Sequence, residues 1–305
     1  MNLNCGAAFA ADRENINLVK GVIYMDYGAI PNAQISAFKR HLQSEERVPA
    51  TIRKYLRDIR SFVAWLGARP LGKDAAAGWK EYLRASQLCP ETVNSKLSAL
   101  NKFFRFLRRQ ECCVKYLRIQ RRLFRRRERE MSRADYTRLL ETAKDMGKTR
   151  LALLMETICA TGIRVSEVRY ITVEAAGAGR AEISLKGKIR TILIPGKLCR
   201  KLQKYARKQK IASGEIFLTR NGKGLSRRQI WAEMKGICKK ADVAPTKVFP
   251  HNLRHLFAQA FYQVCRDVVK LADVLGHSSI ETTRIYLLST GTEHARQLDR
   301  LGLVT

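Results

Sequence analysis

The chain has 305 residues, and its 58 Lys plus Arg against 27 Asp plus Glu give a formal net charge of +31 and a pI near 10.3. That excess points to a polyanionic partner, of which nucleic acid is the commonest, with a ribosomal or membrane-surface protein as the alternatives that charge alone leaves open. The length suggests about two domains, a hydrophobic fraction of 46% is enough for ordinary cores, and no apolar run reaches the ~18 residues of a membrane span.

The first 30 or so residues show no firm periodicity and stay unassigned; Met1 to Ala11 has no basic region before its apolar patch and makes a poor secretory signal. From Asn32 the pattern is helical. Ile35, Phe38 and Leu42 form one stripe, Ile52, Leu56, Ile59, Val63 and Leu66 a second, and Val93, Leu97, Leu100, Phe104 and Leu107 a third. Their opposite faces carry Arg53, Lys54, Arg57 and Arg60, then Lys96, Lys102, Arg105, Arg108 and Arg109, with few acids to balance them. A solvated face explains most charge runs, but this imbalance favours contact with phosphates. Residues 31–111 therefore read as a helical, basic DNA-binding domain. Residues 112–130 hold eight basic and two acidic side chains and read as an extended basic linker.

A second domain over residues 131–305 opens with Ser132 and Asp135, spaced as a helix cap. Leu151 to Ala160 is an apolar helix stopped at Thr161-Gly162. Ala181–Leu185 and Ile189–Ile194 are rich in branched apolar residues and flank the turn Lys186-Gly187-Lys188. Helices are expected over about 197–209, 227–240, 250–265, 268–275 and 279–288, with caps at Ser226/Gln229 and Ser278/Glu281. The fold class is mainly α with a small β-sheet. Of the eight cysteines none forms a CxxC pair; Cys159 and Cys265 read as buried small hydrophobes, while the adjacent Cys112 and Cys113 have no evident role. This usage suits a reducing cytosol.

Three stretches of the second domain carry unusual chemistry. In Thr161-Gly162-Ile163-Arg164-Val165-Ser166-Glu167 an arginine follows a helix-ending glycine. In Pro250-His251-Asn252-Leu253-Arg254-His255 a helix puts His251 and Arg254 on one face. Leu275-Gly276-His277 is followed nine residues later by Tyr286. Singly, an arginine is usually surface, a histidine a satisfied polar group and a tyrosine packing; the order in which all of them occur is what is informative.

That order resembles the tyrosine recombinase, or phage integrase, family over about residues 32–305. The family's TGxRxSE falls on Thr161–Glu167, its HxxR on His251 and Arg254, its LGH on Leu275–His277, its tyrosine on Tyr286 and its hairpin lysine on Lys186. Asn252 stands where the family often has Asp, and Leu185 where it usually has Gly. The resemblance implies a helical core-binding domain of SAM-like fold and an α+β catalytic domain, closing as a clamp round a DNA duplex. It implies strand cleavage through a 3′-phosphotyrosyl intermediate for integration, excision or resolution of DNA, without ATP, metal or other cofactor. The implied catalytic set is Arg164, Lys186, His251, Arg254, His277 and the nucleophile Tyr286. The implied partners are double-stranded DNA at specific sites, three further copies in a homotetramer, and an accessory DNA-bending protein or partner recombinase, all in a bacterial cytoplasm. The chain resembles compact Xer-type and transposon-encoded recombinases, and its charge and divergent first domain lean toward a mobile element.

Elementary chemistry fits this set. Attack on a phosphodiester builds negative charge that two guanidiniums can bind by paired donors. A phenol, with an ordinary pKa near ~10, needs a base, and His251 suits that role. Lys186 would protonate the departing 5′ oxygen. His251, His255 and His277 lack carboxylate or thiolate companions at ligand spacing, and the arginines would repel a cation, which argues against a metal. A type IB topoisomerase would use similar groups without partner exchange, and an inactive DNA-binding relative would have little reason to keep all six.

Overall fold

The computed structural model describes residues 17–19, 22–24, 30–119, 129–185, 188–277 and 279–287, with a few positions between 296 and 301. The chain divides between Arg121 and Arg122 into two compact units.

In the first unit, Asn17–Val19 (β1) and Val22–Tyr24 (β2) pair antiparallel, a hairpin that falls where the sequence shows no periodicity. Four helices follow: Asn32–Ser44 (α1), Pro49–Leu66 (α2), Lys73–Ala85 (α3) and Pro90–Phe106 (α4). Pro49 and Pro90 start α2 and α4 where a missing N–H costs nothing. The expected stripes of α1, α2 and α4 face one core around Phe38, Phe62, Leu97, Phe103 and Phe104. The helix α3 adds Ala76, Trp79 and Leu83 to it. Three apolar positions among alanines and charges are too sparse a stripe to read from sequence.

The opening of the expected linker is not a free tether. Cys112 is fully buried, closing a 3-10 turn over Gln110–Cys112, and Cys113, Val114 and Leu117 pack against the core. Two asparagines of α4 act as a ladder for this strand-like stretch. Asn101 donates to the Val114 carbonyl at 2.9 Å and accepts its N–H at 3.0 Å, and Asn94 does the same for Leu117 at 2.9 and 2.7 Å. The basic run at 120–128, with Arg121, Arg122 and Arg125 to Arg127, lies outside the described residues.

The second unit runs through Arg133–Asp145 (α5), Thr149–Thr161 (α6), Val173–Ala178 (α7), the hairpin Arg180–Leu185 (β3) and Lys188–Leu193 (β4), Gly196–Lys208 (α8), Arg227–Lys235 (α9), Pro250–Cys265 (α10), Val268–Leu275 (α11) and Ile280–Arg284 (α12). A 3-10 turn, Ile285–Leu287, follows. The capping boxes Ser132/Asp135 and Ser226/Gln229 form as the spacing predicts. Two expectations change. The helix from Arg227 stops at Lys235 rather than 240, and α12 is capped by Ser279 with no side-chain bond rather than by Ser278, which lies outside the described residues.

The core gathers α6, whose Leu151, Leu154, Met155 and Ile158 are buried, with the inward faces of β3, β4, α8 and α9. A smaller cluster, Ala258, Leu271, Leu275 and Tyr286, lies between α10, α11 and the last turn. Cys159 is half-buried, but Cys265 is exposed beside Val264, because the last turn of α10 projects its outer face to solvent. Among the described residues no helix is long and apolar enough to cross a membrane.

Removing the asparagine ladder tests the packed linker. Asn101→Ala leaves the Val114 N–H and carbonyl without their partner, which should cost about 1–3 kcal/mol in urea unfolding of the full chain; an unchanged midpoint would show that this stretch is not anchored.

Candidate active site

The second unit contains a cavity of about 620 Å³ whose walls include Arg164, Ser166, Arg228, Trp231, His251, Arg254 and Tyr286. Four of the six residues singled out by sequence, Arg164, His251, Arg254 and Tyr286, therefore line one space, although they come from three separate stretches of chain. His277 stands directly behind Arg254 and Tyr286. Lys186 belongs to the β3–β4 turn and lies outside the described residues, as does Gly187; the backbones of Leu185 and Lys188 pair across it.

Each arginine is held by the backbone of another motif. Arg254 is 1% exposed, and its Nη1 donates to the Gly162 carbonyl while Nη2 donates to the Leu275 carbonyl at 2.7 Å. Arg164 Nη2 in turn reaches the Gly276 carbonyl at 3.3 Å. Both glycines close a helix in the left-handed region, with φ of +64° and +63°. Neither could carry a side chain: a Cβ on Gly162 would stand 2.4 Å from Phe257, and one on Gly276 2.5 Å from the side chain of Arg190. The glycines of TG and LGH thus turn helix-end carbonyls toward guanidiniums, which is also the favourable end of a helix dipole for a cation.

Glu167 and Arg190 join the site as well. Glu167, 2% exposed, accepts Arg164 Nη1 at 2.9 Å and the Arg164 backbone N–H at 2.7 Å, and takes Arg190 Nη2 at 2.5 Å. Glu167 belongs to the TGxRxSE match, but Arg190 has no signature in the sequence: a lone arginine in a strand carries no signal until its neighbours are known. Three guanidiniums against one carboxylate leave the site cationic. Burial, then Arg164, draws the pKa of Arg254 down to about 10, against the opposing effect of the Tyr286 oxygen.

The protonated form is disfavoured at two of the histidines, His251 and His277. Arg254 Nη2 donates to His277 Nε2 at 2.9 Å, and because a guanidinium can only donate, that nitrogen is the acceptor. The proton is then on Nδ1, which donates to Thr283 Oγ1 at 2.8 Å, a fully buried hydroxyl on α12. Burial first, then Arg254 and Arg164, push the His277 pKa from 6.5 to about 4. His251 is open to solvent at its edge, yet burial, Arg254 and Arg164 lower its pKa too.

Tyr286 is 4% exposed, with the rings of His255, His277 and His251 at 4.2, 5.6 and 5.7 Å from its own. Asn252, where a family aspartate is common, donates from Nδ2 to the carbonyls of Arg129 and Lys247, both at 2.7 Å, and so anchors the start of α10; a carboxylate has no proton for either bond. Among the described residues no group of three His, Cys, Asp or Glu could hold a metal ion.

The sequence profile of the phage integrase family matches residues 129–292, and that of the phage integrase N-terminal SAM-like domain matches residues 35–111. The chain is 29% identical to tyrosine recombinase XerA of Thermococcus kodakarensis over 276 residues, covering 88% of this chain and 94% of the relative. It is 29% identical to tyrosine recombinase XerD of Brucella suis biovar 1 over 282 residues, covering 80% and 89%. Among solved structures, a XerH site-specific recombinase bound to difH substrate aligns with a TM-score of 0.63 at 19% identity, covering 88% of this chain and 84% of that one. The Tn1549 transposon integrase in complex with transposon right-end DNA aligns with a TM-score of 0.67 at 16% identity, covering 88% and 99%. At these identities the structural likeness is one of fold.

The histidine environment has a pH consequence. The folded site resists protonating His277 down to about 4, whereas an unfolded histidine takes its proton near 6.5. Unfolding therefore gains a proton between those values, and the melting temperature should fall as pH is lowered from 6.5 toward 4. A His277→Gln chain should show a shallower slope over that window; an identical slope would mean that the proton is taken up elsewhere.

Proposed function

The chain belongs to the phage integrase family, the tyrosine recombinases, and we propose that it cuts and rejoins DNA at specific sites with Tyr286 as the attacking group. The observation that carries this reading is a cationic cavity containing two separately anchored arginines, Arg164 and Arg254, with the buried Tyr286 in the same lining. Such a cavity suits an anion flanked by a nucleophile, and the +31 charge suits a polyanionic substrate.

In the proposed reaction the scissile phosphate enters between the guanidiniums, which donate to its two non-bridging oxygens. The Tyr286 oxygen attacks phosphorus, the bond to the 5′ oxygen breaks, and a 3′-phosphotyrosyl link stores the bond for rejoining. The phenol proton passes to His251, whose lowered pKa keeps a lone pair available near neutral pH. The 5′ oxygen takes its proton from Lys186. His277 first serves Arg254 as acceptor. Once a phosphate oxygen takes over that donor, His277 Nε2 is free to bind a proton and donate in turn. Arg228 and Trp231, which also line the cavity, would meet the DNA backbone beside the scissile position.

The working assembly is proposed to be a homotetramer on two paired sites, as lambda integrase forms a tetramer on a Holliday junction. The proposed division of labour gives residues 31–111 to DNA binding, 112–130 to a basic linker and 131–305 to catalysis.

Tyr286→Phe should retain binding to a DNA site selected from random sequence but form no covalent adduct on a nicked duplex of that site; an adduct from this variant would remove Tyr286 as nucleophile. Arg164→Ala should slow adduct formation by about 10²–10³-fold with a far smaller loss of binding, and equal losses would make the arginine merely structural. Binding should weaken steeply with added salt, and cleavage should be indifferent to EDTA.

A further inference from the structure

Arg190 has no step in the reaction above, yet it touches both supports of a residue that does. Arg164 is oriented by two partners, the Glu167 carboxylate and the Gly276 carbonyl. Arg190 donates to Glu167 Oε2 at 2.5 Å, and its Nη1 reaches the Val274 carbonyl at 3.4 Å in the same turn as Gly276. The fit to that turn is close, because a Cβ on Gly276 would stand 2.5 Å from both Cδ and Nη1 of Arg190. The side chain is only 15% exposed, and its Nε is buried with no hydrogen-bond partner.

A charge this buried is costly unless it serves a purpose, since desolvating a guanidinium costs several kcal/mol in practice. Its effect on Glu167 supplies one. With Arg164 as sole partner, a buried carboxylate would neutralise the guanidinium meant for phosphate. With Arg190 on its other oxygen, Glu167 is shared, and the trio keeps one net positive charge. Arg190 also stands on β4, two residues past the β3–β4 turn, so the strand that leads out of the Lys186 turn is tied to the phosphate-binding arginine.

We propose that Arg190 is a positioning residue for Arg164: it holds Glu167 and the Val274–Gly276 turn in place and leaves the Arg164 guanidinium its charge for the scissile phosphate. This rests on the reading of Arg164 as a phosphate ligand in DNA cleavage.

The test compares full-length parent, Arg190→Gln, Arg190→Lys, Glu167→Gln and the Arg190→Gln/Glu167→Gln pair in single-turnover adduct formation on a nicked duplex of the selected site. Dissociation constants and melting curves are recorded for each. Arg190→Gln should slow adduct formation by about 100-fold, the scale of an ångström-level misplacement, with binding changed less than about threefold. Arg190→Lys keeps a cation on Glu167 and should recover about tenfold of the loss. The double variant should be no slower than the slower single, because both act through one guanidinium. A mere loss of folding would lower melting temperature and binding together and would give no lysine rescue. Arg190→Gln cleaving within about threefold of the parent, or losses that multiply in the double variant, would overturn the proposal. The function reading is judged on the parent alone: no adduct from it at Tyr286 overturns both readings, whereas an adduct from the parent leaves the Arg190 ratios to decide the second.

Discussion

Everything in the second unit depends on keeping three guanidiniums together in a largely buried place. Their mutual repulsion and desolvation would scatter them if side chains alone had to compensate, because Glu167 is the carboxylate among their partners. Backbone carbonyls make up the difference. Gly162, Leu275 and Gly276 each present one at the end of a helix, and each accepts from an arginine belonging to a different stretch of sequence. The arrangement is reciprocal: the first motif's glycine holds the second motif's arginine, and the third motif's glycine holds the first motif's arginine. No motif can be displaced without loosening another, which is how a site assembled from residues more than a hundred positions apart stays in register.

Tyr286 is bound to the same framework by a different means. Tyr286 sits in a short 3-10 turn, and its side chain packs with Ala258, Leu271 and Leu275. Three histidine rings surround it, and Thr283 on the preceding helix pins His277 in the tautomer that faces Arg254. Arg254, His277 and Thr283 thus form a hydrogen-bonded chain from the buried guanidinium to the helix that precedes the Tyr286 turn.

The first unit applies the same economy to a simpler problem. Asp58, 3% exposed on α2, gathers Lys54 at 2.9 Å, Arg57 at 3.2 Å and Lys96 at 3.7 Å. One buried acid therefore orders three cations from two helices, and part of what reads as a uniformly solvated basic face is fixed in place. The asparagines of α4 do similar work for the chain that leaves it, giving a charged segment a defined path through backbone hydrogen bonds.

The sequence by itself determined what depends on neighbours within a turn or two of chain. The span 250–265 of α10, the stop of α6 at Gly162, the caps at Ser132 and Ser226, and the spacing of His251 from Arg254 are local matters of periodicity, left-handed glycine and side-chain capping. The order of the motifs carried the family, and with it the nature of the reaction. Tertiary structure alone decided which groups support which. It recruited Arg190, whose role exists only because Glu167 and the Val274 carbonyl come to it from other parts of the chain. It fixed His277 Nε2 as the acceptor and Nδ1 as the donor, since a tautomer follows from the partners it meets. It also laid Cys113 to Leu117, the opening of the extended basic linker, along α4, because two asparagines matched its backbone in space. Composition counts charges, but only a packed structure says which of them are satisfied.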